Sequence, residues 1–147
     1  MSEQSRSRDV PFEERREIVA VLLTFGDRVG LFRRSAMVGS DAGLWHCITG
    51  FVEVGETPLA SALREVQEES GVVDLVVVEG PEMVLVDESQ NEWLVHTYLG
   101  TASSEQIELN WEHDDYQWID APQLAALEGC VAWLPEVVRV LLTDRTT

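Results

Sequence analysis

Three glutamates in one short stretch of the chain have the types and spacing to hold a metal ion. In PLASALREVQEESG, residues 58–71, Glu65, Glu68 and Glu69 recur at i, i+3 and i+4. On an α-helix that interval gathers them within an arc of about 100°. A helix is expected there because Thr57 suits the N-cap, Pro58 the first helical position and Gly71 the left-handed position just past the end. Like charges this close oppose helix formation by a few tenths of a kcal/mol per pair, and two of them lie in the last turn, where the helix dipole disfavours anions. Arg64 can reach Glu68 at i,i+4, which leaves Glu65 and Glu69 without a cation in the helix. A hard divalent cation such as Mg²⁺ takes oxygen ligands of this kind. The helix alone leaves a second reading open, a solvated acidic face. Leu59, Ala62, Leu63 and Val66 fall on another stripe, the apolar one expected to face the core.

The whole chain shares this acidity. Its 147 residues carry 27 acids against 10 basic residues, all arginine, for a net charge of −17. A composition of 45% hydrophobic and 25% charged residues is that of one globular domain with its own core. The charge argues against duplex nucleic acid and anionic membranes as partners, since sequence-independent binding to either uses a basic patch. An anionic substrate would need a cation between it and this protein. No apolar run approaches the roughly 20 residues of a membrane span. The N-terminus lacks the apolar core of a secretory signal. Cys47 and Cys130 have no CxxC spacing and read as reduced, buried residues of a cytoplasmic protein.

The remaining elements must position the glutamates. Residues 1–15 are polar and unpatterned and are expected to form a flexible arm, with a single domain over 16–147. REIVAVLLTF (16–25), the turn Gly26-Asp27 and VGLFRR (29–34) read as a hairpin whose first strand is central. A loop at 35–43 precedes a short strand at 44–50 that ends at glycine. After the helix, strands are expected at Val72–Val78, Glu82–Asp87, Trp93–Leu99 and Tyr116–Ile119, then a helical turn at Pro122–Leu127 and a closing helix at Pro135–Leu142. The order suggests an α+β or mixed-sheet sandwich.

Residues 50–72, GFVEVGETPLASALREVQEESGV, resemble the Nudix box: glycine, five residues, glutamate, seven residues, then Arg-Glu-aliphatic-x-Glu-Glu-x-Gly-aliphatic. Gly50, Glu56, Arg64, Glu65, Val66, Glu68, Glu69, Gly71 and Val72 meet every defined position. With this chain's own composition, the chance of such a match is below about one in a million. The resemblance implies an α/β protein of the Nudix fold, a mixed β-sheet sandwiched between α-helices (α/β/α). It also implies hydrolysis of a nucleoside diphosphate linked to a further group, with water attacking phosphorus and Mg²⁺ or Mn²⁺ as cofactor.

The same resemblance assigns parts. Glu65, Glu68 and Glu69 would ligate the metal, with a backbone carbonyl at Thr49 or Gly50 as a further ligand. Arg64 would hold a carboxylate in position and lower its pKa. Glu56 would brace the loop or act as an outer ligand, and Glu53 is expected at the surface. The general base would be Glu65 or a later glutamate, Glu112, which precedes Trp118, with His113, Asp114 and Asp115 as neighbours able to take its place. Arg33 and Arg34 would contact phosphate, one of them facing solvent because neighbours on a strand point to opposite sides. Phe51 stands where some MutT-type enzymes have lysine, so no phosphate contact carries over to it. With Trp45, Trp93, Tyr98 and Trp111 it offers aromatic surface for a nucleobase, although alternation in WLVHTYL (93–99) also suits core packing. His46 and His96 lack metal-ligand spacing and read as structural. Ile48-Thr49-Gly50 resembles the lead-in of the dihydroneopterin triphosphate and dATP pyrophosphohydrolase subgroup. The expected activity is conversion of a nucleoside triphosphate or related nucleotide to the monophosphate and pyrophosphate. The alternatives are dinucleoside polyphosphates, ADP-ribose-like substrates, or a non-catalytic nucleotide sensor. Many Nudix proteins are dimers, so a homodimer is one expected state.

Overall fold

The computed structural model describes residues 16–143. Strand β1 (Glu17–Phe25) is apolar on both faces, and Val19 to Leu23 are at most 1% exposed. Such a strand must be interior to a covered sheet. One edge is taken by β6 (Glu92–Ala102), parallel to β1 from Glu17 to Thr24. The other edge is shared. Beyond the Gly26 turn, β2 (Arg28–Arg34) pairs antiparallel with Leu23 to Phe25 only, and β4 (Ile48–Phe51) takes Ile18 to Val21. Past Gly30, β2 therefore diverges from β1. There it is flanked by β3 (Trp45–His46) and β7 (His113–Ile119), while β5 (Leu75–Val86) pairs with β6.

Alternation along β1 divides the core in two. Val19, Val21 and Leu23 pack with Phe32, Ile48 and Tyr98 against Ala62 and Val66 of helix α1 (Pro58–Ser70). Ala20 and Leu22 pack on the opposite face with Leu31, Cys47, Val95 and Leu99. That face is closed by α3 (Leu134–Val138) and the π-helical turn Arg139–Thr143, through Leu134, Val137, Val140 and Leu141. The result is a mixed sheet between helices. A short α2 (Ala121–Ala126) carries a reciprocal capping box between Asp120 and Gln123. No helix among the described residues is long and apolar enough to cross a membrane.

Several elements differ from the sequence reading. The strands expected at Val72–Val78 and Glu82–Asp87 are one strand, β5, whose register shifts between Glu79 and Glu82. Gly80-Pro81 makes a bulge there, not a turn. A Cβ on Gly80 would lie 2.4 Å from Leu141 Cδ2, and the Thr97 hydroxyl donates to the Pro81 carbonyl at 2.6 Å. The strand at 44–50 is split into β3 and β4. The closing helix is α-helical only to Val138. Cys47 is buried, but Cys130 is only partly so. The expected flexible arm at 1–15 lies outside the described residues.

The largest correction concerns α1. Its ends are as read: Thr57 Oγ1 accepts from the Ala60 amide at 3.1 Å, and Gly71 takes φ +76°. Its inward face is rotated. Leu59 and Leu63 are more than 40% exposed, whereas Ser61, Ala62, Glu65, Val66, Glu69 and Ser70 are buried. Two carboxylates occupy the side that hydrophobicity alone assigns to leucine.

This orientation sets the cost of truncation. Val66→Ala should destabilise the protein by about 2 kcal/mol in urea unfolding, since a buried side chain leaves a cavity. Leu63→Ala should cost less than about 1 kcal/mol. The reverse ranking would mean that the leucine stripe faces the core.

Candidate active site

Three carboxylates converge at the C-terminal half of α1. Glu65 and Glu69 come from α1 and Glu112 from the loop before β7. Each offers an oxygen within 4.8 Å of the other two. Glu65 is 8% exposed and Glu69 1%. Burial, the strongest cause, raises the pKa of both, and the neighbouring carboxylates raise them further. Glu112 is raised for the same reasons, against an opposing pull from Arg34. Backbone approach makes the cluster fit. A Cβ on Gly50, in β4, would sit 1.6 Å from Glu65 Oε2, so only glycine leaves room for this carboxylate.

Arg64 ties the loop before α1 to the helix. Its Nε donates to Glu56 Oε2 at 2.9 Å and Nη2 to Glu56 Oε1 at 3.0 Å, a bidentate pair. The Ser61 hydroxyl donates to the same carboxylate at 2.7 Å. Nη1 donates to Glu68 Oε1 at 3.2 Å and lies 3.5 Å from Glu65 Oε1, while Nη2 also donates to the Phe51 carbonyl at 3.3 Å. Glu53 is exposed, 3.6 Å from Nη2. These bonds, Arg64 first and Ser61 second, hold the Glu56 carboxyl down to about 2. With both oxygens engaged, Glu56 is placed as a brace and stands apart from the Glu65, Glu69 and Glu112 oxygens. Glu68 is exposed at the margin of the cluster, where its charge raises Glu65 and Glu112.

The two strand-end arginines divide as alternation requires. Arg33 Nε donates to Asp114 Oδ1 at 2.7 Å, and its guanidinium carbon lies 5.9 Å from the Trp45 ring centre. Arg34 donates from Nε to the Ser40 carbonyl at 2.9 Å, and its charge is felt by Glu69 and Glu112. Arg34 is therefore the arginine directed at the cluster. Phe51 is 62% exposed, with its ring 5.8 Å from that of Trp93. Trp93 is fixed in turn by a 3.0 Å bond from its indole N–H to Asp87. Trp111 is exposed, Trp45 partly buried and Tyr98 buried.

Two histidines gain significance from the structure. His46 is buried, stands edge-on to Trp133 at 4.5 Å, and has no partner for either ring nitrogen among the described residues. Burial, then Arg34, lowers it to about 3. His113 is buried beside Glu69, with burial and then Arg34 holding it neutral at about 4. The alternation of β7 could have pointed His113 inward, but nothing in the sequence places it against Glu69. Ser61, five residues after Glu56, carried no signal either. His96 is bonded to Glu17 at 2.8 Å.

The donor set fits a hard divalent cation. All the converging atoms are carboxylate oxygens, and Glu69 Oε2 is buried with no hydrogen-bond partner among the described residues. A buried unsatisfied oxygen is unfavourable unless something else binds it.

Residues 14–141 match the NUDIX domain, and the chain belongs to this family, whose members hydrolyse pyrophosphate bonds. It is 28% identical over 159 aligned positions to the RNA pyrophosphohydrolase of Gluconacetobacter diazotrophicus, covering 92% of each chain. It is 31% identical over 105 positions to the dihydroneopterin triphosphate diphosphatase of Escherichia coli, covering 59% of this chain and 67% of that one. The fold is shared with the MutT protein from Methanosarcina mazei, at a TM-score of 0.78 and 20% identity over 91% of this chain and 99% of the other.

Two expectations follow from the geometry. Gly50→Ala should leave the protein folded in circular dichroism but weaken Mn²⁺ binding by at least about tenfold, because the methyl group displaces Glu65. Unchanged Mn²⁺ affinity would disprove the close approach. The second concerns pH. Because the pKa of Glu69 is raised on folding, the unfolded chain releases this proton at lower pH than the native one. Without metal, stability must therefore fall as pH rises above the ordinary carboxylate range. Comparing thermal midpoints of wild type and Glu69→Gln from pH 4 to 8 should show the wild type losing ground as pH rises; a constant difference would contradict the shift.

Proposed function

We propose that the protein is a Mg²⁺-dependent pyrophosphohydrolase that converts a nucleoside triphosphate or related nucleotide to the monophosphate and pyrophosphate. The observation that carries this reading is the cluster of buried Glu65 and Glu69 with half-buried Glu112, and its unpartnered Glu69 oxygen. Glu65, Glu68 and Glu69, with the Gly50 carbonyl, would hold Mg²⁺ or Mn²⁺, and Glu56 supports them through Arg64. The cation would neutralise charge on the phosphoryl oxygens of a substrate that a protein of net charge −17 would otherwise repel. Arg34 binds a phosphate from the opposite side, with Arg33 held by Asp114 at the rim. Glu112 accepts the proton of the attacking water at its carboxylate, which burial makes more basic than an exposed one. The Phe51–Trp93 pair, with rings tilted 41° to each other, presents aromatic surface one residue past Gly50, where the exposed Phe51 ring stacks the nucleobase.

A panel of nucleoside triphosphates, dihydroneopterin triphosphate, 5′-triphosphorylated RNA, dinucleoside polyphosphates and ADP-ribose, assayed with Mg²⁺ for phosphorus products, tests the reading. Pyrophosphate release from a triphosphate is expected. Failure on every substrate, with Glu69→Gln binding nucleotides as the wild type does, would favour a nucleotide-sensing module. Glu112→Gln should lower kcat by about 10²-fold or more with KM little changed. Phe51→Ala should raise KM by about tenfold with kcat nearly unchanged. Equal turnover in Glu112→Gln would remove that residue from proton transfer.

A further inference from the structure

We propose that His113 is a positioning residue for Glu69: its Nδ1–H donates to Glu69 Oε1 and leaves Oε2 free for the cation. The inference rests on the reading of the cluster as a metal site. His113 Nδ1 and Glu69 Oε1 are 3.8 Å apart, and each side chain is 1% exposed. Nδ1 has no partner among the described residues, and neither has Oε2 of the same carboxylate. Two unsatisfied polar groups thus lie side by side with almost no access to water, an arrangement that native structures avoid. The separation exceeds an N–H···O bond of about 2.7–3.2 Å. With the ring held by its frame, closing it takes a shift of the Glu69 carboxylate by at least about 0.6 Å.

The frame around His113 keeps the ring in place. It opens β7 opposite Arg34, its amide donates to the Asn110 carbonyl at 3.4 Å, and its ring rests on Phe32 at 5.4 Å. Phe32 is itself 1% exposed. A neutral imidazole has one N–H, and the partner of each nitrogen decides which one carries it. Ionised Glu69 is acceptor-only. Contact with it selects the Nδ1–H tautomer, and Glu112, the preceding residue, is carried on the same backbone. One side chain therefore orients a carboxylate from α1 against a carboxylate from the β7 loop.

The metal alone supplies the test. Metal-free protein is titrated with Mn²⁺, and free Mn²⁺ is read by electron paramagnetic resonance. His113→Phe, which keeps the ring volume but removes the donor, should bind Mn²⁺ about 10–100-fold more weakly. His113→Asn, whose amide N–H occupies nearly the same place, should restore affinity to within about threefold of wild type. Wild-type affinity in His113→Phe, or no rescue by asparagine, overturns the positioning role while leaving the metal site standing. No Mn²⁺ binding by the wild type overturns both. Should the variants not fold, ¹⁵N chemical shifts of His113 in the Mg²⁺-loaded wild type decide: a protonated Nδ1 is expected, and a protonated Nε2 overturns the proposal.

Discussion

Packing carboxylates against one another away from water is the constraint to which the rest of the molecule answers. Glu65 and Glu69 lie on the inward face of α1 and meet Glu112 from the loop before β7. Each loses hydration and gains like-charged neighbours, and both effects oppose ionisation. The surroundings are arranged to make this tolerable. Gly50 presents no side chain, so Glu65 can seat against backbone, Arg34 supplies opposing charge, and Ser61 and Ser70, not leucine, complete the buried face of the helix.

Arg64 shows that burial and partnering, not residue type, set the behaviour of an acid. It contacts both Glu56 and Glu65. Glu56 receives two guanidinium bonds and a hydroxyl, and is held ionised. Glu65, on the next residue of the helix, is pushed the other way, because desolvation exceeds what a 3.5 Å ion pair returns. Since Arg64 also bonds the Phe51 carbonyl, strand end, loop and helix are joined through one planar group. A lysine, with a single ammonium, could not make this set of contacts.

The helix ends and two members of the carboxylate cluster, Glu65 and Glu69, could be read from sequence because both are local: caps act within four residues, and helical spacing fixes which glutamates are neighbours, whereas the third member is Glu112 from a distant loop and Glu68 is exposed at the margin. The orientation of α1 could not. Periodicity ranks faces by hydrophobicity, and here the chemistry of the site overrides that ranking, so Leu59 and Leu63 lie outward. Long-range pairings were equally hidden. His113 reaches Glu69 only because β7 pairs with β2 in a register that sets it against Arg34. Phe51 meets Trp93 because β4 and β6 occupy opposite edges of β1, where Ile18 pairs with both Phe51 and Val95. The bulge at Gly80-Pro81 shares its residue types with a turn, and only the packing of Leu141 and Thr97 tells them apart.

Gly50 and Phe51 are covalent neighbours under opposite pressures. Any side chain at position 50 would intrude on Glu65, whereas the side chain at position 51 is 62% exposed and lies against Trp93. A side chain added at position 50 competes with Glu65 for one space, while the one at position 51 has solvent to occupy, so two residues joined by a single peptide bond differ in what a substitution reaches: at the first it moves a carboxylate, at the second it alters the exposed surface beside it.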